Sequence, residues 1–201
     1  MTAPPDVIPD QRGDAAVIER SWHEPERFGA IFDAYFKEIH RYVARRLDVQ
    51  AADDIAAETF AIAFRGRHRY DLARINSRPW LYGIATNLIS RHRRDEQRKL
   101  RAMERADQAE TQLTGHEDQV AARVSAEGIR GSLARAITAL PASQRDVLLL
   151  IVLSDLSYDE VAQALDIPFG TVSSRLNRAR SKLRKALGGT NPLIDQEGTT
   201  R

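Results

Sequence analysis

Between Pro25 and Leu47 the apolar residues return every three or four positions: Phe28, Ile31, Phe32, Tyr35, Phe36, Ile39, Tyr42, Val43 and Leu47. That spacing gathers them on one side of an α-helix and does not suit a strand, whose faces alternate every second residue. A second helix follows over about 51–65, with Ile55, Phe60, Ile62 and Phe64 as its apolar members. The stretch "RGRHRYDLARINSRP" then breaks the period and reads as a loop. Pro79 opens a third helix that runs to about Leu100. These three helices form one unit over residues 25–100. From 101 to 127 the apolar signal thins, charges of both signs alternate, and Gly115 is the weakest point, which together read as a linker. A second periodic block covers 128–187 as "LARAITALP", "SQRDVLLLIVLSD", "SYDEVAQALD" and "TVSSRLNRARSKLRKAL". Four helices fit it, separated by Pro141, "DLS" and "DIP". No run of alternating β-branched residues occurs, so the expected class is all-α in two small domains. Residues 1–24, rich in Pro and Asp without periodicity, and the Gly-led 188–201 read as mobile tails.

At 201 residues and 42% apolar the chain can bury one sizeable core or two small ones. The absence of cysteine excludes disulfides and cysteine-ligated zinc, and it fits a reducing compartment. No apolar run approaches the roughly 20 residues of a membrane span, and "MTAPPDVIPDQRGD" has Pro and Asp where a signal peptide has its apolar region. The expectation is a soluble cytoplasmic protein without membrane insertion. The five histidines form no metal-binding pair of the HExxH type, and no Gly-rich phosphate loop is present. No catalytic residue, no metal and no cofactor are expected. A net charge of only +2 conceals strong segregation along the chain.

The best-specified local motif is "LSYDEVAQALDIPFGTVSSRL". Ser157 followed at the third position by Glu160 is a capping box, which starts a helix by satisfying its free N–H groups. Val161, Ala162 and Leu165 give that helix an apolar side, "DIP" breaks it, and another helix opens near Phe169. Helix, short turn, helix is the arrangement that sets a second helix into a DNA major groove. Projection of that helix puts Val172, Leu176, Ala179, Leu183 and Leu187 in one buried stripe. Thr171, Ser174, Arg175, Arg178 and Lys182 fall on the opposite side. From Arg175 to Lys185 there are six bases and no acid, an uncompensated positive field suited to phosphates. The N-terminal residues of the helix would reach base edges, where Arg binds guanine bidentately and Ser or Thr donates or accepts.

Three stretches, "ADDIAAETFAIAFR" (52–65), "PWLYGIATNLISRHRR" (79–94) and the block from Leu140 to Leu187, resemble in order and separation the regions of an extracytoplasmic-function (ECF) RNA polymerase sigma factor. The similarity covers most of 25–187. It implies two helical domains, region 2 and region 4, on a flexible linker, binding to core RNA polymerase, and recognition of promoter DNA at two separated elements. Many members of that family are held inactive by an anti-sigma protein, so such a partner is implied as well. The runners-up are a conventional helix-turn-helix regulator that binds duplex unaided, and an interaction-only adaptor that contacts polymerase or an inhibitor.

In the third helix Leu81, Ile84, Ala85, Leu88 and Ile89 project to one broad side, while Trp80, Asn87, Arg91 and Arg94 share a narrow sector elsewhere. An aromatic face for a base, an amide for base edges and guanidinium groups for phosphates is the set that opening DNA requires. The resemblance assigns this helix to the minus-ten element, with Trp80 at the upstream edge of the bubble. Trp80 has a second reading, a core residue pinned behind Pro79, whereas Tyr82 projects to the packed side. The resemblance also places Arg67, Arg69, Tyr70 and Asn76 where the family captures a flipped base, and assigns Thr171, Ser174, Arg175, Arg178 and Lys182 to the minus-thirty-five element. Asp53 and Asp54 have a structural reason in the helix macrodipole. With Glu58 they also lie where the family docks on the polymerase clamp. Ala57 stands where the family usually has Gln, and Ser173 where a base is common.

Overall fold

The computed structural model describes residues 13–110 and 126–188, in which eight α-helices and no strand occur. They are α1 (Gly13–Arg20), α2 (Gly29–Ala44), α3 (Val49–Gly66), α4 (Arg78–Glu110), α5 (Ala126–Thr138), α6 (Ala142–Ser154), α7 (Tyr158–Leu165) and α8 (Phe169–Ala186). No described helix is long and apolar enough to cross a membrane. Two compact units divide the chain, and the boundary falls within α4 between Ile89 and Ser90.

In the N-terminal unit the periodic residues of α2 are buried as expected, with Ile31, Ile39, Tyr42 and Val43 at most 1% exposed. Ile55 and Phe60 of α3 and Leu81, Ala85, Leu88 and Ile89 of α4 are buried as well. The Tyr42 and Tyr82 rings meet edge to face at 4.9 Å, and the Tyr42 hydroxyl lies 2.9 Å from Thr86 Oγ1. A buried phenol retains a hydrogen-bond partner in this way, which offsets the cost of removing it from water.

The tail expected over residues 1–24 is corrected by α1. Ala15, Ala16 and Ile18 are buried, and Ser21 is fully buried with its hydroxyl donating to the Ile18 carbonyl at 2.6 Å. Trp22 Nε1 donates to the Arg67 carbonyl at 3.2 Å, and Arg67 Nε returns a bond to the Ser21 carbonyl at 3.1 Å. The helix is short and only three of its residues are buried, too few for a period to stand out in the sequence. The linker expected over 101–127 is also shorter. Helix α4 continues to Glu110, and α5 already begins at Ala126. Residues such as Arg98, Leu100, Arg101 and Met103 are good helix formers that need no buried face to continue a helix already nucleated. The remainder of the linker over 111–125, with Gly115, lies outside the described residues, as do the outer parts of both tails.

In the C-terminal helices Val147, Leu150, Val161 and Ala179 are fully buried, and Leu156 and Leu176 nearly so. Ser157 backbone N–H donates to Glu160 Oε2 at 2.8 Å, and Glu160 N–H donates to Ser157 Oγ at 3.2 Å, the reciprocal pair of a capping box. Asp155 and Asp166 both take φ 50°, a left-handed conformation that a short polar side chain tolerates. Ile167 N–H donates to the Ala162 carbonyl at 3.0 Å and Asp166 N–H to the Gln163 carbonyl at 3.4 Å. This is the Schellman pattern that closes a helix, so the "DIP" turn stops α7 by backbone geometry and Pro168 starts α8.

Two outcomes test this packing. Replacing Ile18 by Ala should cost the N-terminal unit about 2–4 kcal/mol in urea denaturation, whereas a mobile tail would leave the midpoint unchanged. Ser157→Ala should destabilise the C-terminal helices by about 1 kcal/mol, with Ser157→Asp retaining most of that stability.

Candidate nucleic-acid interface

Helix α4 carries the first candidate surface. Its first turn is held by Glu38 of α2, whose Oε1 accepts from Arg78 Nε at 2.6 Å and from the Tyr82 hydroxyl at 2.8 Å. Burial, followed by that hydrogen bond to Glu38, raises the Tyr82 phenol above its ordinary value, so it remains a neutral donor. Asn76 Oδ1 accepts from Arg78 N–H at 2.9 Å, which satisfies a free amide at the helix start. With the first turn pinned, Asn87, Arg91 and Arg94 are presented exposed along one side of α4, as expected.

Trp80 combines its two readings. It is half-buried, its ring lies 4.9 Å from that of Tyr70, and its Cζ2 would be 4.0 Å from a Cβ placed on Gly66. The indole therefore packs on one side while part of it stays at the surface at the head of the row. Tyr82 is buried, in agreement with its projection. The basic side of α4 extends beyond Arg94. Arg98 and Arg101 line one concavity together with Arg91, Arg94, Asp95 and Gln97. Asp95 is held below the usual carboxylate range by the Arg98 hydrogen bond, with Arg91 Nε 4.0 Å away. The stripe of Arg91, Arg94 and Arg98 lies inside the helix expected to Leu100, and Arg101 joins it because α4 continues to Glu110. His92 Nε2 lies 3.5 Å from Glu96 Oε1 one turn on.

The loop ahead of α4 separates its four candidate residues. Arg67 is engaged with the Ser21 and Phe64 carbonyls and lies over the Phe64 ring at 4.0 Å, so it holds structure. Tyr70 is buried and its hydroxyl donates to the Arg74 carbonyl at 2.6 Å. Asn76 caps α4, and only Arg69 keeps an exposed side chain with no role in shaping the loop that these contacts identify. Ile75, 67% exposed, stands out instead.

On α3, Asp53, Asp54, Ala57 and Glu58 are all exposed and form one strip. Asp53 Oδ1 lies 2.7 Å from His40 Nε2 on α2. The macrodipole reason for the two acids needs correction. Helix α3 begins at Val49 and its N-cap is Asp48, whose side chain accepts from Ala51 N–H at 2.9 Å. Asp53 and Asp54 therefore lie beyond the first turn, where the dipole effect has largely decayed. Asp48 directly before a helical run was the signal for the cap.

The second candidate surface is α8. Val172, Leu176 and Ala179 are buried, and Leu183 and Leu187 are half-buried. Arg178 and Lys182 are exposed, as are Arg180, Arg184 and Lys185, while Thr171, Ser174 and Arg175 are half-buried at the N-terminal end. Ser174 Oγ donates to the Thr171 carbonyl at 3.1 Å. Phe169, half-exposed, leans on Tyr158 of α7 with ring centroids 5.9 Å apart, which ties the two helices across the turn. The result is a turn-braced basic helix that contains no acid.

Comparison with known proteins identifies the family of both units. A family model for sigma-70 region 2 matches residues 31–99, which holds α4 through Lys99, and one for sigma-70 region 4 matches 130–183, which holds the helix-turn-helix. The chain is 35% identical over 173 residues to the ECF RNA polymerase sigma factor SigW of Bacillus subtilis, covering 82% of this chain and 90% of that protein. It is 32% identical over 179 residues to the ECF RNA polymerase sigma factor SigC of Mycobacterium tuberculosis, covering 85% and 90%. Among solved structures, its fold is similar to CnrH in complex with the cytosolic domain of CnrY, with a TM-score of 0.59 at 20% identity over 89% of this chain and 99% of that one. It is also similar to the sigma factor RpoE in complex with the anti-sigma factor NepR from Bartonella quintana, with a TM-score of 0.53 at 22% identity over 83% and 99%. Two family models that together match more than half of the chain, and relatives above 30% identity over most of their length, place it: the chain belongs to the ECF family of RNA polymerase sigma factors.

Proposed function

We propose that this sigma factor docks on core RNA polymerase through the acidic strip of α3 and reads two promoter elements with its two basic helices. Helix α8 takes the upstream, minus-thirty-five element as duplex, with Thr171, Ser174, Arg175 and Arg178 at base edges and phosphates and Lys182 on the backbone. Helix α4 takes the minus-ten element as it opens: Trp80 stacks on a base, Asn87 reaches base edges, and Arg91 and Arg94 hold phosphates. The observation that carries this division is the row on α4. A duplex reader has no need of an indole that is half packed and half at the surface, whereas a strand leaving the stack gains a π-face from it.

The docking role of Asp53, Asp54 and Glu58 is supported by their exposure beyond the first turn of α3, where helix stability gives little reason for three acids in one strip. Ala57 places a methyl group amid that strip, so the contact there rests on charge rather than on an amide. Ser173 is exposed and uncharged, which leaves Arg175 and Arg178 as the main guanidinium groups at the N-terminal end of α8. An anti-sigma protein is the expected inhibitory partner, in keeping with the RpoE–NepR complex among the structural neighbours. The work is done alongside polymerase in the cytoplasm, and none of it requires the protein to catalyse a reaction.

Reconstitution with core polymerase on a promoter library tests the proposal. The chain should direct initiation from a specific subset of promoters; no initiation on any promoter would sink it, and tight sequence-specific duplex binding without polymerase would favour a conventional regulator. Arg178→Ala should weaken upstream-element binding and lower the salt slope of complex formation by about 0.9. Trp80→Ala should leave closed-complex binding within about twofold while reducing permanganate reactivity of unpaired thymines roughly tenfold, the worth of one base stack. An unchanged circular dichroism spectrum would show that the Trp80 variant keeps its fold.

A further inference from the structure

Helix α1 precedes every segment assigned to DNA, yet it reaches the base of the surface that α4 presents. Gly13 has φ +63°, and a Cβ there would stand 2.5 Å from Ile75 Cγ2 and 2.8 Å from the Ile75 carbonyl oxygen. Only glycine permits that approach without displacing the loop. It allows Asp14 N–H to donate to the Ile75 carbonyl at 3.0 Å and brings the Asp14 carboxylate to the start of α4.

A single carboxylate oxygen then joins three elements. Asp14 Oδ2 accepts from Ser77 N–H at 2.8 Å, from Ser77 Oγ at 2.7 Å and from the Tyr35 hydroxyl of α2 at 2.8 Å. Ser77 is fully buried and immediately precedes α4. An anion at that point is favoured by the positive end of the helix dipole, and hydrogen bonds to a charged acceptor are the strong ones. Removing it would leave two donors of Ser77 buried without an acceptor, so the segment would have to shift. The exposed arch Asp71–Asn76 is therefore fastened at both ends. Tyr70, whose ring meets Trp80, holds the near end through Arg74, and Asp14 holds the far end.

We propose that Asp14 is a positioning residue for promoter opening. Helix α1 is thus part of the device that receives the opened strand: through Ser77 it sets the arch, with exposed Ile75 and Arg74, and the Trp80-bearing turn of α4 in their receiving geometry. This rests on the reading of α4 as the opened-strand helix. Opening is the sensitive step, because unstacked bases must find an aromatic face and loop groups already in place, whereas duplex docking by α8 does not involve this segment.

The test uses the full chain with core polymerase on a promoter it initiates from, comparing Asp14→Ala, Asp14→Asn and Trp80→Ala. Closed-complex affinity, permanganate reactivity and amide hydrogen exchange are read on each. Asp14→Ala should reduce the open fraction roughly tenfold, in line with loss of charge-assisted hydrogen bonds, with closed-complex binding nearly unchanged and faster exchange at Ser77. Asp14→Asn, which keeps a carbonyl acceptor, should recover most of the opening. Wild-type opening by Asp14→Ala beside a defect in Trp80→Ala would overturn the positioning role and leave the reading of α4 standing. Wild-type opening by both would overturn the two together. Equal losses of closed-complex binding and opening would also overturn it, because a purely structural role predicts that pattern. Should Asp14→Ala lose its helical circular dichroism, the Ser77→Ala, Tyr35→Phe double variant decides, since it removes donors and keeps Asp14. Reduced opening at unchanged circular dichroism then supports the role, and wild-type opening refutes it.

Discussion

Glu38 accepts from Arg78 and Tyr82, both at the beginning of α4, with its own side chain and that of Arg78 less than a third exposed. In so confined a place the attraction is screened less than on open surface, and the carboxylate positions the helix as well as attracting it. Once the first turn of α4 is fastened to α2, a rigid helix carries that orientation outward at about 1.5 Å per residue. Where Asn87 stands is settled by contacts made one to three turns earlier. The arrangement is asymmetric: the packed side is made by apolar burial, but the rotation that selects which side faces outward is locked by hydrogen bonds among Glu38, Tyr82, Tyr42 and Thr86. Apolar contact is non-directional, and these bonds supply the direction it lacks.

The helix-turn-helix is organised on a different principle. Its geometry comes from short-range devices: the Ser157–Glu160 box, the left-handed Asp155 and Asp166, and the Schellman bonds that end α7. Each involves residues a few positions apart, so the turn angle between α7 and α8 is encoded locally and needs only the apolar side of α8 to seat it. Such an element is well suited to rigid docking in a duplex groove, where pre-set orientation lowers the cost of binding. The surface around α4, by contrast, draws on residues as far apart in sequence as Asp14, Glu38 and Tyr70.

That difference decided what could be read beforehand. The capping box, the four C-terminal helices and the buried stripe Val172, Leu176 and Ala179 were legible because their signals repeat or lie three residues apart. The rows on α4 and α8 were legible for the same reason. The short helix α1 was not, since three buried residues make no pattern and its value lies in partners 21 and 63 positions away. Asp53 and Asp54 resemble a helix start in sequence, but the cap is Asp48, five residues before Asp53. The resemblance puts Arg67, Tyr70 and Asn76 in a base-contacting loop, and the folded chain uses all three to shape that loop instead.

The sequence by itself determined an all-α chain with two basic helices and the family to which they belong, because helical period, capping chemistry and charge run are written in neighbouring residues. Tertiary structure alone decided that Trp80 is both packed and presented, that Asp14 and Glu38 hold the start of α4, and that the arch ahead of it exposes Ile75 rather than Tyr70. Those outcomes depend on side chains brought together across tens of residues, and neither period nor composition registers such distances.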